Sequence, residues 1–340
     1  MPRLSICIST YNRGQFIGAT LDSIVKQLLP AVEVVIVDGA SPDNTPEIIA
    51  EYTARYPSIR YFREAENSGI DCDYDKAISY AAGTYCWLMT DDDVFRPGAI
   101  ERVLAELDGT YKIVVANAEV RTADLSVLLS ERRLPIGDDR TYHGSDTDIF
   151  FAECMRYLSF IGGLVIKRDI WISRERSKYY GSLFVHIGVI CQNNLPTPIR
   201  VIADPLISIR YGNAMWTPRG FEIWMFKWPQ LIWSFENFSE QSKKAVCAST
   251  PSNSSARLFY FRALGAYGPS EFAKHYASKA GWLRLTAYLI SKCPEKLANS
   301  LCVLCLSAVK PSALMAQYEL LQSRYATAFS RLIARCGPTG

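Results

Sequence analysis

The chain has 340 residues, 49% of them hydrophobic and 21% charged, with a net charge of +3. That is enough apolar material for a substantial core in one large domain or two smaller ones, and so mild a charge gives no ground for a nucleic-acid partner. No run approaches the ~20 apolar residues of a membrane-spanning helix, no signal peptide precedes the first strand pattern, and neither repeats nor low-complexity tracts occur. Ten cysteines are scattered without a repeated spacing, as expected of reduced thiols in a cytosolic protein. Cys302 and Cys305 form a CxxC inside the apolar run LCVLCLSAV. With no second pair or histidine near it, this run reads as core packing.

Leu4, Ile6 and Ile8 alternate with Ser5, Cys7 and Ser9, the pattern of a strand, and residues 10–14 form a polar turn. Phe16, Ile17, Thr20, Leu21, Ile24, Val25 and Leu28 then recur at helical spacing up to Pro30. Residues 32–37 are a nearly continuous β-branched run, as in a strand covered on both faces, ending at Asp38 and the turn-rich GASPDNT. Thr45 stands as an N-cap with Pro46 as the first helical residue. A third strand covers residues 59–62, the loop ENSG follows, and residues 71–82 read as a helix closed by Gly83 as its C-cap. Residues 85–89 make a short buried strand that ends in Thr90, Asp91, Asp92 and Asp93, ahead of Pro97 and a new helical pattern from Ala99.

Strands alternating with helices at this spacing predict an α/β fold with a largely parallel sheet, in which ligands bind beyond the carboxyl ends of the strands. Residues 9–12, 38–41 and 90–93 are polar clusters at three such ends and should converge on one crevice. Three carboxylates at the end of a buried strand repel one another and call for a compensating cation. Hard oxygen ligands suit Mg²⁺ or Mn²⁺, which complete their shells with phosphate oxygens and water. Alone, the triplet reads equally as a solvated turn capping the next helix; the three clusters together favour a bound nucleotide and metal.

The segments STYNRGQFIGATLDSI, VVIVDGASPDNT and ENSGIDCDYDKAISYAAGTYCWLMTDDD, with PGAI after them, stand in register and at the usual separations. Together they resemble the nucleotide-sugar half of family 2 glycosyltransferases with the GT-A fold, over residues 3–216. The third segment, with SFIGGLVIKRDIW and RYGNAMW, is most similar to the abequosyltransferase-like branch that serves bacterial O-antigen assembly. The resemblance implies a Rossmann-like GT-A domain over residues 1–215, and residues 216–340 read from their own pattern as a helical C-terminal region. It implies that Ser9, Thr10 and Tyr11 border the base and ribose of the donor, that Asp38 accepts a ring N–H of the base, and that Asn67, Gly69 and Asp71 shape the loop over ribose and sugar. Gly39 stands where many relatives carry a second acid, which leaves CDP-, UDP-, GDP- and dTDP-linked donors all open. Asp75 and Lys76 fall on the helix behind that loop, Lys76 either as a site residue or on a solvated face. Thr90 stands where the first acid of a D-x-D often stands, with Pro97 fixing the alignment. Asp91 or Asp92 then faces sugar or ribose, Asp92 or Asp93 holds the metal, and Asp92 takes a catalytic part.

Residues 113–116 read as a further buried strand ending at Asn117 and Glu119, which face either an acceptor or a turn, and residues 120–145 as a polar surface excursion. Residues 148–158 carry a helical stripe, and SFIGG turns into a strand at residues 164–166. In the resembled family that stretch passes close to the donor sugar, although tight packing explains its glycines equally well. YYGSLFVHIGVIC at residues 179–191 occupies the place of an acidic catalytic motif in many members. His186 stands there, either as a satisfied core residue or as a catalytic base titrating near ~6.5. A last strand spans residues 199–209, and His143 and His275 read as structural.

From Gly212 the character changes. Trp216, Trp224, Trp228 and Trp233 crowd together, and residues 271–340 hold nine Lys or Arg, the last of them Arg335, against three acids. Such helices suit either an interface with anionic lipid or a bundle docking on the catalytic domain. The combined expectation is a metal-assisted, inverting glycosyltransferase, peripheral on the inner face of the cytoplasmic membrane. It would move a sugar, such as a deoxy- or dideoxyhexose, from a nucleotide-diphosphate donor to a lipid-linked saccharide. A nucleotidyltransferase would need a Gly-rich phosphate loop, of which STYNRG is a poor version. A non-catalytic saccharide-binding protein on the same fold is the remaining alternative.

Overall fold

The computed structural model describes residues 1–213 and 219–334. Trp216, Arg335, the end of RYGNAMW and the expected boundary at residues 215 and 216 lie outside the described residues. The chain forms two compact units, the first of Met1–Arg121, Glu131–Arg210 and Ser234–Val246, the second of Thr122–Ser130, Tyr211–Trp233 and the chain from Cys247 on.

Strands and helices alternate as β1 (Leu4–Thr10), α1 (Gly14–Val25), β2 (Val32–Asp38), α2 (Thr45–Arg55), β3 (Ile59–Arg63), α3 (Ile70–Tyr80) and β4 (Tyr85–Met89). There follow β5 (Val94–Phe95), α4 (Ala99–Glu106), β6 (Ile113–Arg121), then β7 (Leu128–Ser130) of the second unit and β8 (Arg140–Tyr142). The first unit continues through α5 (Thr147–Leu158), β9 (Leu164–Lys167), α6 (Arg168–Ile172), α7 (Val185–Cys191) and β10 (Ile199–Arg210). Its sheet runs β3-β2-β1-β4-β9-β6-β10-β5. The half from β3 to β4 is parallel, with Thr10 opposite Asp38 and Ile8 opposite Met89, so three polar strand ends lie side by side. Beyond it β9 runs antiparallel between β4 and β6, and β5 and β8 run antiparallel to β10. The sheet is therefore more mixed than expected, because an apolar run shows a strand but not its direction.

Local chemistry departs from the sequence reading at three points. β1 is buried along its whole length, the Ser5 hydroxyl donating to Glu33 at 2.6 Å, so its polar positions serve a second covered face. Gly83 is not a helix cap: α3 ends at Tyr80 with Ala81 extended, and a Cβ at Gly83 would lie 2.7 Å from the Ser5 nitrogen. Close approach is what requires that glycine. Thr45 lies inside α2, whose N-cap is Asn44; its hydroxyl donates to Asp43 at 2.6 Å and accepts the Arg13 N–H at 2.9 Å.

Beyond β10 the described chain is helical: α8 (Gly220–Glu222), α9 (Trp228–Ser234), α10 (Glu240–Val246), α11 (Ser255–Leu264), α12 (Pro269–His275), α13 (Gly281–Lys292), α14 (Glu295–Val309), α15 (Leu314–Gln322) and α16 (Ala328–Ile333). Residues 234–246 return to the first unit, where Phe238 stacks on Phe151 of α5 at 4.0 Å and the Ser242 hydroxyl donates to Asp148 at 2.9 Å. The second unit packs Phe221, Met225, Leu258, Tyr267 and Tyr276 into one cluster and Ala263, Ala298, Val303 and Leu320 into another. LCVLCLSAV is not core as expected: Val303 is buried, but Leu301, Leu304 and Cys305 are exposed. No helix among the described residues is long and apolar enough to cross a membrane.

Candidate active site

The turn after β1 is pinned by the loop after β2. Asn12 takes a positive φ of 57°, which Asn tolerates. Its N–H goes to the Ser41 hydroxyl at 2.9 Å and that of Gly14 to Asp43 at 2.9 Å. This frame aims Arg13 at the acidic triplet, Nε lying 3.5 Å from Asp91 and Nη2 3.6 Å from Asp92. Both contacts exceed the ~2.7–2.9 Å of a tight charge-assisted bond, so the guanidinium is shared between two carboxylates. Burial, then the charge of Asp92, lifts Asp91 to about 7 against the opposing pull of Arg13 and the Thr10 hydroxyl. One guanidinium thus faces two carboxylates here. Two hard carboxylates together, each side chain 12–13% exposed, fit a divalent cation that takes its other oxygens from phosphate and water. Among the described residues no group of three or more His, Cys, Asp or Glu is arranged to hold a metal by protein ligands alone.

Asp93, expected beside the metal, is tied into the fold. One oxygen accepts the Arg210 N–H at 2.7 Å, the other the Thr90 hydroxyl at 2.5 Å, and its carbonyl accepts the Thr20 hydroxyl at 2.8 Å. Burial and the neighbouring Asp92 raise its pKa well above the usual carboxylate range. It braces the acidic turn to α1 and β10. Asp38, expected to accept a ring N–H of the base, is tied into the fold in the same way. It is fully buried, accepting the Ser41 N–H and hydroxyl at 2.8 and 2.6 Å and the Tyr61 hydroxyl at 2.6 Å.

Beside Asp38, a Cβ on Gly39 would lie 2.9 Å from an Asp73 oxygen and 3.5 Å from Asn67. The space of the missing second acid is therefore bordered by Asp73, a carboxylate buried to 1% and raised in pKa by that burial. Neither Arg13 nor Asp73 stood out in the sequence, although Asp73 alternates with Asp71 and Asp75 in α3 and Arg13 lies inside STYNRG. Gly69 starts α3 at a φ of 89°, where glycine is needed, and its N–H goes to Asn67 at 2.9 Å. Asp71 reaches elsewhere, accepting the N–H groups of Leu183 at 2.8 Å and Val185 at 3.1 Å. Leu183 has a φ of 72°, a strained value for Leu that this carboxylate holds in place. Ser9 and Thr10 are buried at the end of β1, and Tyr11 is half-buried.

His186 is 1% exposed on α7, with Nε2 2.7 Å from the Leu158 carbonyl oxygen. Burial lowers its pKa to about 4, which corrects the expected value near 6.5: an enclosed imidazole loses the hydration of its cation. The ring anchors the start of SFIGG. In that segment a Cβ on Gly162 would lie 2.3 Å from the Phe160 ring, and one on Gly163 2.8 Å from Tyr157, so both glycines serve packing. Asn117 ties Leu134 and Ala203 together inside the fold, and Glu119 accepts from Ser208 and Arg121, both at 2.6 Å. Lys76 bonds Glu64 at 2.6 Å and stays partly exposed.

Residues 5–155 match the family described as "Glycosyl transferase family 2". An abequosyltransferase of Salmonella typhimurium is 27% identical over 230 residues, 64% of this chain and 69% of that protein. An uncharacterised glycosyltransferase of Mycoplasma pneumoniae is 36% identical over 104 residues, 30% of this chain and 35% of that one. The match to a hyaluronan synthase of Pasteurella multocida, 34% identical, covers 31% of this chain and 11% of that protein. Among solved structures, TarS residues 1–349 of S. aureus in complex with UDP-GlcNAc superimposes with a TM-score of 0.55 at 16% identity, covering 96% of this chain and 93% of that one. At that identity the likeness concerns the fold.

Proposed function

We propose that this glycosyltransferase, which carries a family 2 domain over residues 5–155, moves a sugar from a nucleotide-diphosphate donor to a lipid-linked saccharide of O-antigen type, with inversion at the anomeric carbon. The observation that carries the reading is the Asp91–Asp92 pair, bridged by Arg13 at 3.5 and 3.6 Å beside the ends of β1 and β2. Asp91 and Asp92 would hold Mg²⁺ or Mn²⁺, which would supply positive charge beside the leaving diphosphate. Arg13 supplies a second positive group at the same crevice, and Asp93 keeps the acidic turn rigid. Ser9, Thr10 and Tyr11 border the nucleotide, with Asn67, Gly69 and the neighbouring Asp73 on its far side. The similarity to an abequosyltransferase favours a deoxy- or dideoxyhexose donor, and an acceptor carried in lipid places the enzyme at an anionic membrane surface on the cytoplasmic side.

The test is a melting panel with CDP, UDP, GDP and dTDP, each with and without Mn²⁺. A ligand at ~100 times its Kd stabilises by about 2.7 kcal/mol, so one nucleotide should raise the melting temperature, and chiefly with the cation present. Asp92→Ala should lose the cation dependence and keep its fold. Asp93→Ala should instead lose about 1–3 kcal/mol of stability, because it strands the Arg210 N–H and the Thr90 hydroxyl. Nucleotide binding indifferent to the cation in wild type, or retained unchanged in Asp92→Ala, would sink the reading.

A further inference from the structure

The second unit leaves two helical faces uncovered. On α13 the outward positions Trp282, Leu285 and Leu289 are 75%, 45% and 59% exposed, and on α14 Leu297, Leu301 and Leu304 are 51%, 45% and 44% exposed. Spacings of three and four residues put each trio on one stripe. Both helices bury their opposite sides against α11: Ala287 of α13 packs with Leu258, and Ala298 and Val303 of α14 pack with Ala263. The two apolar stripes therefore turn away from α11. Within the described part of the Trp-rich stretch, Phe221, Met225 and Trp228 are buried.

Charge around the stripes has one sign. All eight Lys and Arg among the described residues 271–334 are exposed, Arg284 and Lys292 on α13 itself, while Glu271, Glu295 and Glu319 are all partly buried. Glu295 pairs with Arg262 at 2.9 Å, and Glu319 accepts the Tyr260 hydroxyl at 2.7 Å. Lys274 pairs with Glu222 at 3.1 Å, but apolar stripes with a tryptophan, set among an excess of exposed cations, match a bilayer interface in which hydrocarbon lies beneath anionic headgroups.

We infer that the exposed stripes of α13 and α14 seat this unit on an anionic lipid bilayer, Trp282 and the leucines entering the interface and Arg284 and Lys292 meeting headgroup phosphates. The inference rests on the reading of a lipid-linked acceptor and gives that surface its residues. The experiment floats the full chain with vesicles of phosphatidylcholine containing phosphatidylglycerol and with vesicles of phosphatidylcholine alone. Wild type should bind the anionic vesicles and release as salt screens the charges. Trp282→Ser with Leu289→Ser should lose at least about tenfold in partitioning. Arg284→Gln with Lys292→Gln should lose about twenty-fivefold on anionic vesicles only, at about fivefold per charge. All these side chains are exposed, and unchanged melting temperatures check the fold.

Equal binding to both vesicles, or undiminished binding by the Trp282 and Leu289 variant, overturns the inference. So does a wild-type dimer that this variant converts to monomer, which would make a second copy the occupant. Nucleotide stabilisation measured on the same proteins separates the two readings. Vesicle binding without it sinks the transferase reading and leaves the face, whereas nucleotide binding without vesicle binding sinks the face alone.

Discussion

At the scale of single residues, burial decides which of the polar groups at the strand ends remain available for chemistry. His186 shows this most clearly, because its pKa of about 4 comes from enclosure and not from a partner charge. Its ordinary value is ~6.5, so as pH falls the unfolded chain takes up this proton before the folded one does. The folded state's advantage is complete above about pH 6.5 and is lost as pH falls toward about 4, a change of order 3 kcal/mol. Urea midpoints at neutral pH and near pH 4.5 should therefore fall more steeply for wild type than for His186→Gln. Parallel slopes would mean that the ring is hydrated in solution and open to substrate.

At the scale of elements, packing overrides propensity in α7, the helix that carries His186. All seven of its residues are buried, and Gly188 lies in its middle. Helix propensity alone makes Gly188→Ala stabilising by about 1 kcal/mol. The new Cβ would, however, stand 2.2 Å from the Tyr179 ring, and overpacking of this kind costs about 1–3 kcal/mol. The substitution should lower the denaturation midpoint, with Gly188→Ser at least as costly. A rise in the midpoint would show that Tyr179 swings aside freely. The same element hangs on Asp71, whose carboxylate takes the N–H groups of Leu183 and Val185, so α3 and α7 are joined by one side chain.

At the scale of the molecule, the unit that carries the acidic turn is discontinuous in sequence. Residues 234–246 belong with it, through Phe235 and Phe238 against Phe151 and through Ser239 and Ser242 on Asp148. A chain ending at residue 215, where composition changes, would uncover Phe151. It should melt well below a chain ending at residue 248, since losing the packing of a buried Phe costs several kcal/mol (about 3–5 for truncation of the side chain itself). Equal melting temperatures for the two truncations would show that the returning segment adds nothing. The Trp-rich region ahead of that return could not reveal it, because an aromatic side chain packs as readily against one apolar surface as another.

Hydrophobic periodicity and turn chemistry, both local properties, were enough to place the α/β order, the strand ends and the acidic turn. β1, β2 and β4 could be read within a few residues from Leu4, Val32 and Tyr85 onward, and the convergence of their ends follows from parallel pairing. Which carboxylates the fold consumes was not legible. Asp93 is taken by Arg210, 117 residues away, and Asp38 by Tyr61, 23 residues away, while Asp91 and Asp92 are left to Arg13. The outward leucines of α14 likewise look the same in sequence as buried ones until α11 is seen to cover the other side. Burial and hydrogen bonding belong to neighbours in space, and chain order sets those neighbours only through the completed fold.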